Sequence, residues 1–203
     1  MINDLKNYTN NLLSGNLYTI AARPLMGKTT VARYIANTLS HHGQKVLYIE
    51  TETLTKNEES KEYDFLCRRM ISAEEIRNIA FIGNYDVIII DNFQYMHHKI
   101  MDDTAYRLKR LSEELNLKII VLSHISRKVD IRKNKRPIIS DMTRKMCGSL
   151  WKSSDGVVFL WRESYYNRSC TNNDIEFIIA KDSNGISGLI TLNYQTLERP
   201  SSI

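Results

Sequence analysis

Short apolar runs alternate along this chain with longer stretches of helical spacing. Leu17 to Ala21, Val46 to Ile49, Val87 to Ile90, Ile119 to Leu122 and Val157 to Trp161 are each four or five residues long. Runs of that length, largely apolar and rich in β-branched side chains, predict strands buried on both faces. Between them, Val31, Ile35, Ala36 and Leu39 recur at helical spacing over Thr29 to His41, with Gly43 placed to end the helix. Tyr106 to Leu115 predicts a second helix, while Phe65, Leu66, Arg69, Met70 and Ile71, followed by Ala73 to Ile79, predict one or two more, closed by a turn at Gly83 and Asn84. Ile175 to Ala180 and Leu189 to Tyr194 read as two further strands joined by a hairpin turn at Ser183-Asn184-Gly185. The alternation predicts an α/β fold: a mostly parallel central sheet flanked by helices, with a C-terminal antiparallel extension. Ligands of such sheets bind beyond the carboxyl ends of the strands.

The residues at those ends carry chemistry. Ala22, Arg23, Pro24, Leu25, Met26, Gly27, Lys28, Thr29 and Thr30 join the first strand to the first helix, the context of a phosphate-binding P-loop. Successive backbone N–H groups and a helix N-terminus surround an anion there, and a lysine adds full charge. Gly27 lets the backbone approach phosphate closely, Lys28 would reach the β- and γ-phosphates, and the Thr29 hydroxyl would take a Mg²⁺ position. Ala22 stands where the usual pattern begins with glycine. The strand Val87 to Ile90 ends in Asp91, the form of a Walker B carboxylate that would hold Mg²⁺. Glu50 and Glu52 follow the second strand and are candidates for orienting and deprotonating an attacking water, or are exposed strand-end acids. Ser123-His124 ends its strand as a γ-phosphate sensor or as a plain polar strand end. The predicted cofactors are ATP and Mg²⁺.

Charge adds a second ligand class. Arg127, Lys128, Arg132, Lys133, Lys135, Arg136, Arg144, Lys145 and Lys152 face only Asp130 and Asp141 between 127 and 152, so that segment carries +7 within a chain of +5 and the remainder carries −2. A basic excess confined to one segment fits a polyanion footprint; a solvated loop is the alternative. With 203 residues and 42% hydrophobic content, one domain spanning 1–203 is expected. No run is long enough for a membrane span, and Met1 to Leu13 lacks the apolar centre of a signal peptide, so a cytoplasmic protein without membrane partners is expected. Cys67, Cys147 and Cys170 show no metal or disulfide spacing, and His41-His42 and His97-His98 read as solvated loop or helix-end residues.

The segments GNLYTIAARPLMGKTT, VLYIETE, YDVIIIDNFQYM, KIIVLSHISRKVDIRKNKRPIISDM, GSLWKSSDGVVFLWRESYYN and IIAKDSNGISGLITLNYQ follow one another in this order. Together they resemble the RecA-like motor domain of DnaB-family replicative helicases from about Asn3 to about Tyr194. In that family the P-loop begins with alanine, as here. The resemblance implies a catalytic role for Glu52 rather than Glu50, phosphate and metal roles for Lys28, Thr29 and Asp91, and a sensor role for His124, where glutamine is more usual. It places Arg127, Lys128, Arg132, Lys133, Lys135, Arg136, Gly148 and Ser149 in loops lining a central channel for single-stranded DNA. Lys181 matches a lysine that reaches the γ-phosphate of the adjacent subunit, but Ser183 replaces the accompanying arginine finger, so hydrolysis is expected to be slow. The interval between Glu52 and Asp91 is shorter than is typical, and the chain is expected to start after the family's N-terminal domain and linker helix. A hexameric ring is therefore expected to assemble weakly, and a helicase or replisome partner is expected. Two function classes follow: an ATP-hydrolysing motor, of a phage or other mobile element, moving on single-stranded DNA, or an ATP-gated module that binds DNA or a helicase with little hydrolysis of its own.

Overall fold

The computed structural model describes residues 16–52, 60, 62–167, 169–182 and 187–198. Eight strands form one sheet in the order β3-β2-β4-β5-β1-β6-β7-β8. Strands β1 (Leu17–Ala22), β2 (Val46–Glu50), β3 (Asp64–Cys67), β4 (Val87–Asp91), β5 (Lys118–His124) and β6 (Gly156–Trp161) run parallel, while β7 (Asp174–Lys181) and β8 (Gly188–Asn193) add antiparallel pairs at one edge. The sheet is buried on both sides because successive side chains point to opposite faces. Leu17, Ala21, Ile88, Ile90, Val157 and Phe159 enter one core with α2 (Ala73–Gly83) and α3 (Met101–Glu114). Tyr18, Ile20, Val87, Ile89, Val158 and Leu160 enter the other, with α1 (Lys28–His41).

Local signals set most of the element ends. Gly27 caps α1 in the left-handed region at φ 96°, where an L side chain is strained and a Cβ would also stand 2.6 Å from the Tyr194 ring. Helix α2 starts at a capping box in which Ser72 accepts from the Glu75 amide and the Glu75 carboxylate accepts from the Ser72 amide. It ends at Asn84, which takes the left-handed C-cap conformation.

One expectation fails. Phe65 and Leu66 lie in strand β3, not in a helix. The open edge of β2 offers backbone partners over Leu47 to Glu50, and the Phe65 ring stacks on Tyr48 with centroids 5.7 Å apart. Met70 then turns the chain through a positive φ of 54°, so helix begins only after Ser72. The Ser183-Asn184-Gly185 turn falls outside the described residues, although β7 and β8 pair as a hairpin requires. Three short helices complete the site's surroundings: α4 (Arg144–Cys147), α5 (Leu150–Ser153) and α6 (Glu163–Tyr166).

Candidate functional site

Parallel register brings the predicted residues to one end of the sheet. Ala22 pairs with His124 across β1 and β5, and Glu50 pairs with Asp91 across β2 and β4. The loop 22–27 rises from the central strand β1 and ends on α1, a helix long enough to project a partial positive charge at its N-terminus. Lys28 is only 6% exposed and folds back over this loop. Its Nζ lies 3.4 Å from the Ala22 carbonyl, 3.3 Å from the Arg23 carbonyl and 3.2 Å from His124 Nδ1. Burial lowers its pKa from 10.5 to about 8, against the opposing pull of the Asp91 and Glu52 charges.

His124 is held neutral near pH 7. Burial, then the positive charges of Lys28 and Arg23, bring its pKa to about 4. An ammonium can only donate, so Nδ1 accepts from Lys28 and the ring proton sits on Nε2. Nε2 lies 2.8 Å from the Asn92 amide, whose Oδ1 is buried and lacks a partner among the described residues. Turning that amide so that Oδ1 accepts from Nε2–H satisfies both groups.

Asp91 is buried and is the hub on the other side. Its Oδ2 accepts from the Thr29 hydroxyl and from the Tyr48 hydroxyl, both at 2.8 Å. Burial and the Asp91 carboxylate raise the Tyr48 pKa, which keeps that hydroxyl a donor. The ends of β2 and β4 are latched together by Thr51, whose amide donates to the Asp91 carbonyl at 2.6 Å and whose hydroxyl bonds the Asn92 backbone at 2.6 and 2.7 Å. This latch seats Glu52 beside Asp91. Glu52 is exposed and accepts from the Tyr95 hydroxyl at 3.4 Å, whereas Glu50 turns toward α1, 3.9 Å from Arg33. The donor set fits magnesium: one carboxylate and one hydroxyl, both hard oxygens. Among the described residues no cluster of three or more His, Cys, Asp or Glu could hold a metal, so an ion here would draw its remaining ligands from substrate phosphate and water.

Sequence reasoning missed the aromatic wall of the loop. Tyr194 donates to or accepts from Thr30 at 2.9 Å, and the Arg162 guanidinium lies 3.8 Å from its ring centroid. Tyr48, Thr51 and Asn92 were also passed over. The polar tip of Tyr48 inside an otherwise apolar strand was the one available signal.

The basic segment divides into inward and outward groups. Arg132 pairs with buried Asp141 at 2.7 Å, Arg136 pairs with Glu176 at 2.6 Å while covering Trp161, and Arg144 pairs with Asp102. Arg127, Lys128, Lys133 and Lys145 are exposed and have no acidic partner among the described residues. Gly148, at φ 55°, packs against the start of α3, where a Cβ would stand 2.9 Å from the Asp102 amide nitrogen; Ser149 bonds the Asp102 carboxylate. Lys181 directs its ammonium to the carbonyls of Trp151, Lys152 and Ser154 in its own chain, and burial lowers its pKa. Ser183 lies outside the described residues. Cys67, Cys147 and Cys170 are free thiols, and no described helix is long and apolar enough to cross a membrane.

A family profile, the DnaB-like helicase C terminal domain, matches residues 68–199. Among curated relatives, the replicative DNA helicase DnaB of Geobacillus stearothermophilus is 44% identical over 95 residues, covering 46% of this chain and 20% of that protein. A probable plasmid replicative DNA helicase of Chlamydia psittaci is 26% identical over 234 residues, covering 91% of this chain and 51% of its own length. The chain thus spans between a fifth and about half of these relatives. Among solved structures, a helicase ATPase domain solved on its own superposes with a TM-score of 0.77 at 21% identity, over 95% of this chain and 92% of that one. A DnaB-like replicative helicase, solved with attention to its interactions with primase, gives 0.76 at 23% identity over 88% and 56%. The fold is that of the RecA-like helicase ATPase domains.

Proposed function

The chain belongs to the DnaB-like helicase C-terminal domain family, and from that premise we propose that it is an ATP-hydrolysing motor domain acting on single-stranded DNA in the replication of a phage, plasmid or other mobile element. One observation carries the reading: His124, Lys28, Thr29 and Asp91 form two short hydrogen-bonded links around a single helix N-terminus. In this reading the amides of the 22–29 loop and the Lys28 ammonium bind the β- and γ-phosphates, drawing Lys28 away from its carbonyl partners. Mg²⁺, held between Thr29 and Asp91, supplies charge neutralisation at the phosphates. Glu52, exposed and anchored by Tyr95, takes the proton of the attacking water. Neutral His124 reports on Lys28 because its Nδ1 loses a donor when the lysine turns to phosphate. The adenine ring packs at the Arg162–Tyr194 stack beside Thr30. The outward cations Arg127, Lys128, Lys133 and Lys145 contact DNA phosphates, and copies of the chain assemble as a ring that brings Lys181 near a neighbour's nucleotide.

Binding and turnover separate these roles. Lys28→Ala is expected to abolish binding of ATP with Mg²⁺, and Glu52→Gln to retain binding while losing phosphate release, because an amide accepts no proton. Equal loss of affinity in both variants would remove the division of labour. Lys181 favours a second reading, an ATP-gated binding module with little hydrolysis, since three carbonyls of its own chain already occupy its ammonium. Stoichiometric nucleotide binding without turnover at any protein concentration would select that reading.

A further inference from the structure

The basic loop after β5 is braced from within, and one of its braces reaches the phosphate loop itself. Arg23, in the phosphate loop and 8% exposed, donates through Nε to Asp130 at 3.0 Å and through Nη1 to the Ile125 carbonyl at 3.4 Å. Asp130 stands in the tight turn Arg127–Ile131, which buried Val129 pins to the core. The other Asp130 oxygen accepts from the Tyr166 hydroxyl at 2.8 Å, and the Tyr166 ring lies 5.0 Å from Lys135 Nζ. Burial, then the Asp130 carboxylate, keep that hydroxyl protonated by raising its pKa.

Further along, Asp141 accepts from Arg132 at 2.7 Å and from the Ile138 amide at 2.9 Å, and Arg136 holds Glu176. The segment from Arg127 to Asp141 is therefore a preassembled unit rather than a loose tether. Its junction with the phosphate loop is one charge pair, and the residue supplying the cation also supplies a carbonyl to Lys28 at 3.3 Å. When Lys28 turns to a phosphate, the Arg23 carbonyl loses that donor, and any shift of Arg23 acts on Asp130 directly.

We propose that Asp130 is a positioning residue that couples the two ligands: through Arg23 it sets the basic loop according to the state of the phosphate loop, and Tyr166 fixes its carboxylate for that task. The proposal rests on the reading that the phosphate loop takes nucleotide and the basic loop takes single-stranded DNA. Linkage makes such coupling reciprocal, so each ligand changes the other's Kd by one common factor.

The test measures that factor in the full chain with a non-hydrolysable ATP analogue plus Mg²⁺ and a dT oligonucleotide, each alone and then together. The wild type is expected to show a factor of about 5 to 150 in both directions. Asp130→Asn keeps the size and removes the charge; Tyr166→Phe removes only the hydroxyl and serves if the first variant folds poorly. Both are expected to bind each ligand alone within about threefold of wild type, while the factor falls toward about 1 in Asp130→Asn and by about half on a logarithmic scale in Tyr166→Phe. A factor that survives in both variants, or a wild type that binds both ligands without mutual effect, overturns the coupling alone. A wild type that fails to bind either ligand by itself overturns the functional reading and the coupling with it.

Discussion

Lys28→Met should make this protein more stable while removing its nucleotide affinity. Among the described residues the buried ammonium has no ion-pair partner and is held by two carbonyls and a neutral imidazole. Its pKa falls from 10.5 to about 8 because burial disfavours the charged form more than Asp91 and Glu52 favour it. A drop of that size corresponds to roughly 3 kcal/mol of folding free energy withheld at pH 7. The sign follows from proton counts. Between about pH 8 and 10.5 the unfolded lysine keeps its proton while the folded one gives it up, so stability rises with pH across that window, and below about 8 the full cost is present. Methionine has a similar shape and no charge, so the variant should recover up to roughly 3 kcal/mol at pH 7, about 6 to 12 °C in Tm for a domain of this size. The gain should shrink as pH approaches 10. Urea and thermal unfolding at pH 7 and pH 10, without nucleotide, measure it. A variant less stable than wild type at pH 7, or a difference that widens toward pH 10, would refute the claim that Lys28 is strained by desolvation until phosphate arrives.

Two other outcomes follow from the site. Replacing Lys128, Lys133 and Lys145 together by alanine should flatten the dependence of log K on log salt for a dT oligonucleotide by about 2, since each phosphate contact contributes about 0.7 on single strands, with ATP affinity unchanged; an unaltered slope would assign these exposed cations to another partner. Ser183→Arg should raise kcat with little change in ATP affinity, and the gain should grow with protein concentration, because a delocalised cation acts on the transition state from a neighbouring copy; normal assembly without faster turnover would place the interface elsewhere.

Much of this architecture was legible because short apolar runs and their spacing are local properties. The order of strands, the burial of β1, β4 and β6 and the ends of α1 and α2 all rest on residues within a few positions of each other. The P-loop and Asp91 were legible for the same reason: one strand, one turn and one helix build each. Strand β3 was not, because Phe65 and Leu66 owe their conformation to the free edge of β2 and the ring of Tyr48, neither of which is near in sequence. Tertiary pairing likewise hid the inward turn of Arg132, Arg136 and Arg144: Glu176 lies 40 residues from Arg136, and Asp102 lies 42 from Arg144. A charge count sees nine cations between 127 and 152 and cannot tell which ones the fold has already paired.

The central claim is that this site hydrolyses ATP under the control of single-stranded DNA, and phosphate release by the purified chain, with and without a dT oligonucleotide, tests it most directly. The account predicts a slow basal rate that rises with DNA and with protein concentration, and that vanishes in Glu52→Gln although that variant still binds nucleotide. Phosphate release no greater in wild type than in Glu52→Gln, with DNA present and across protein concentrations, would contradict it.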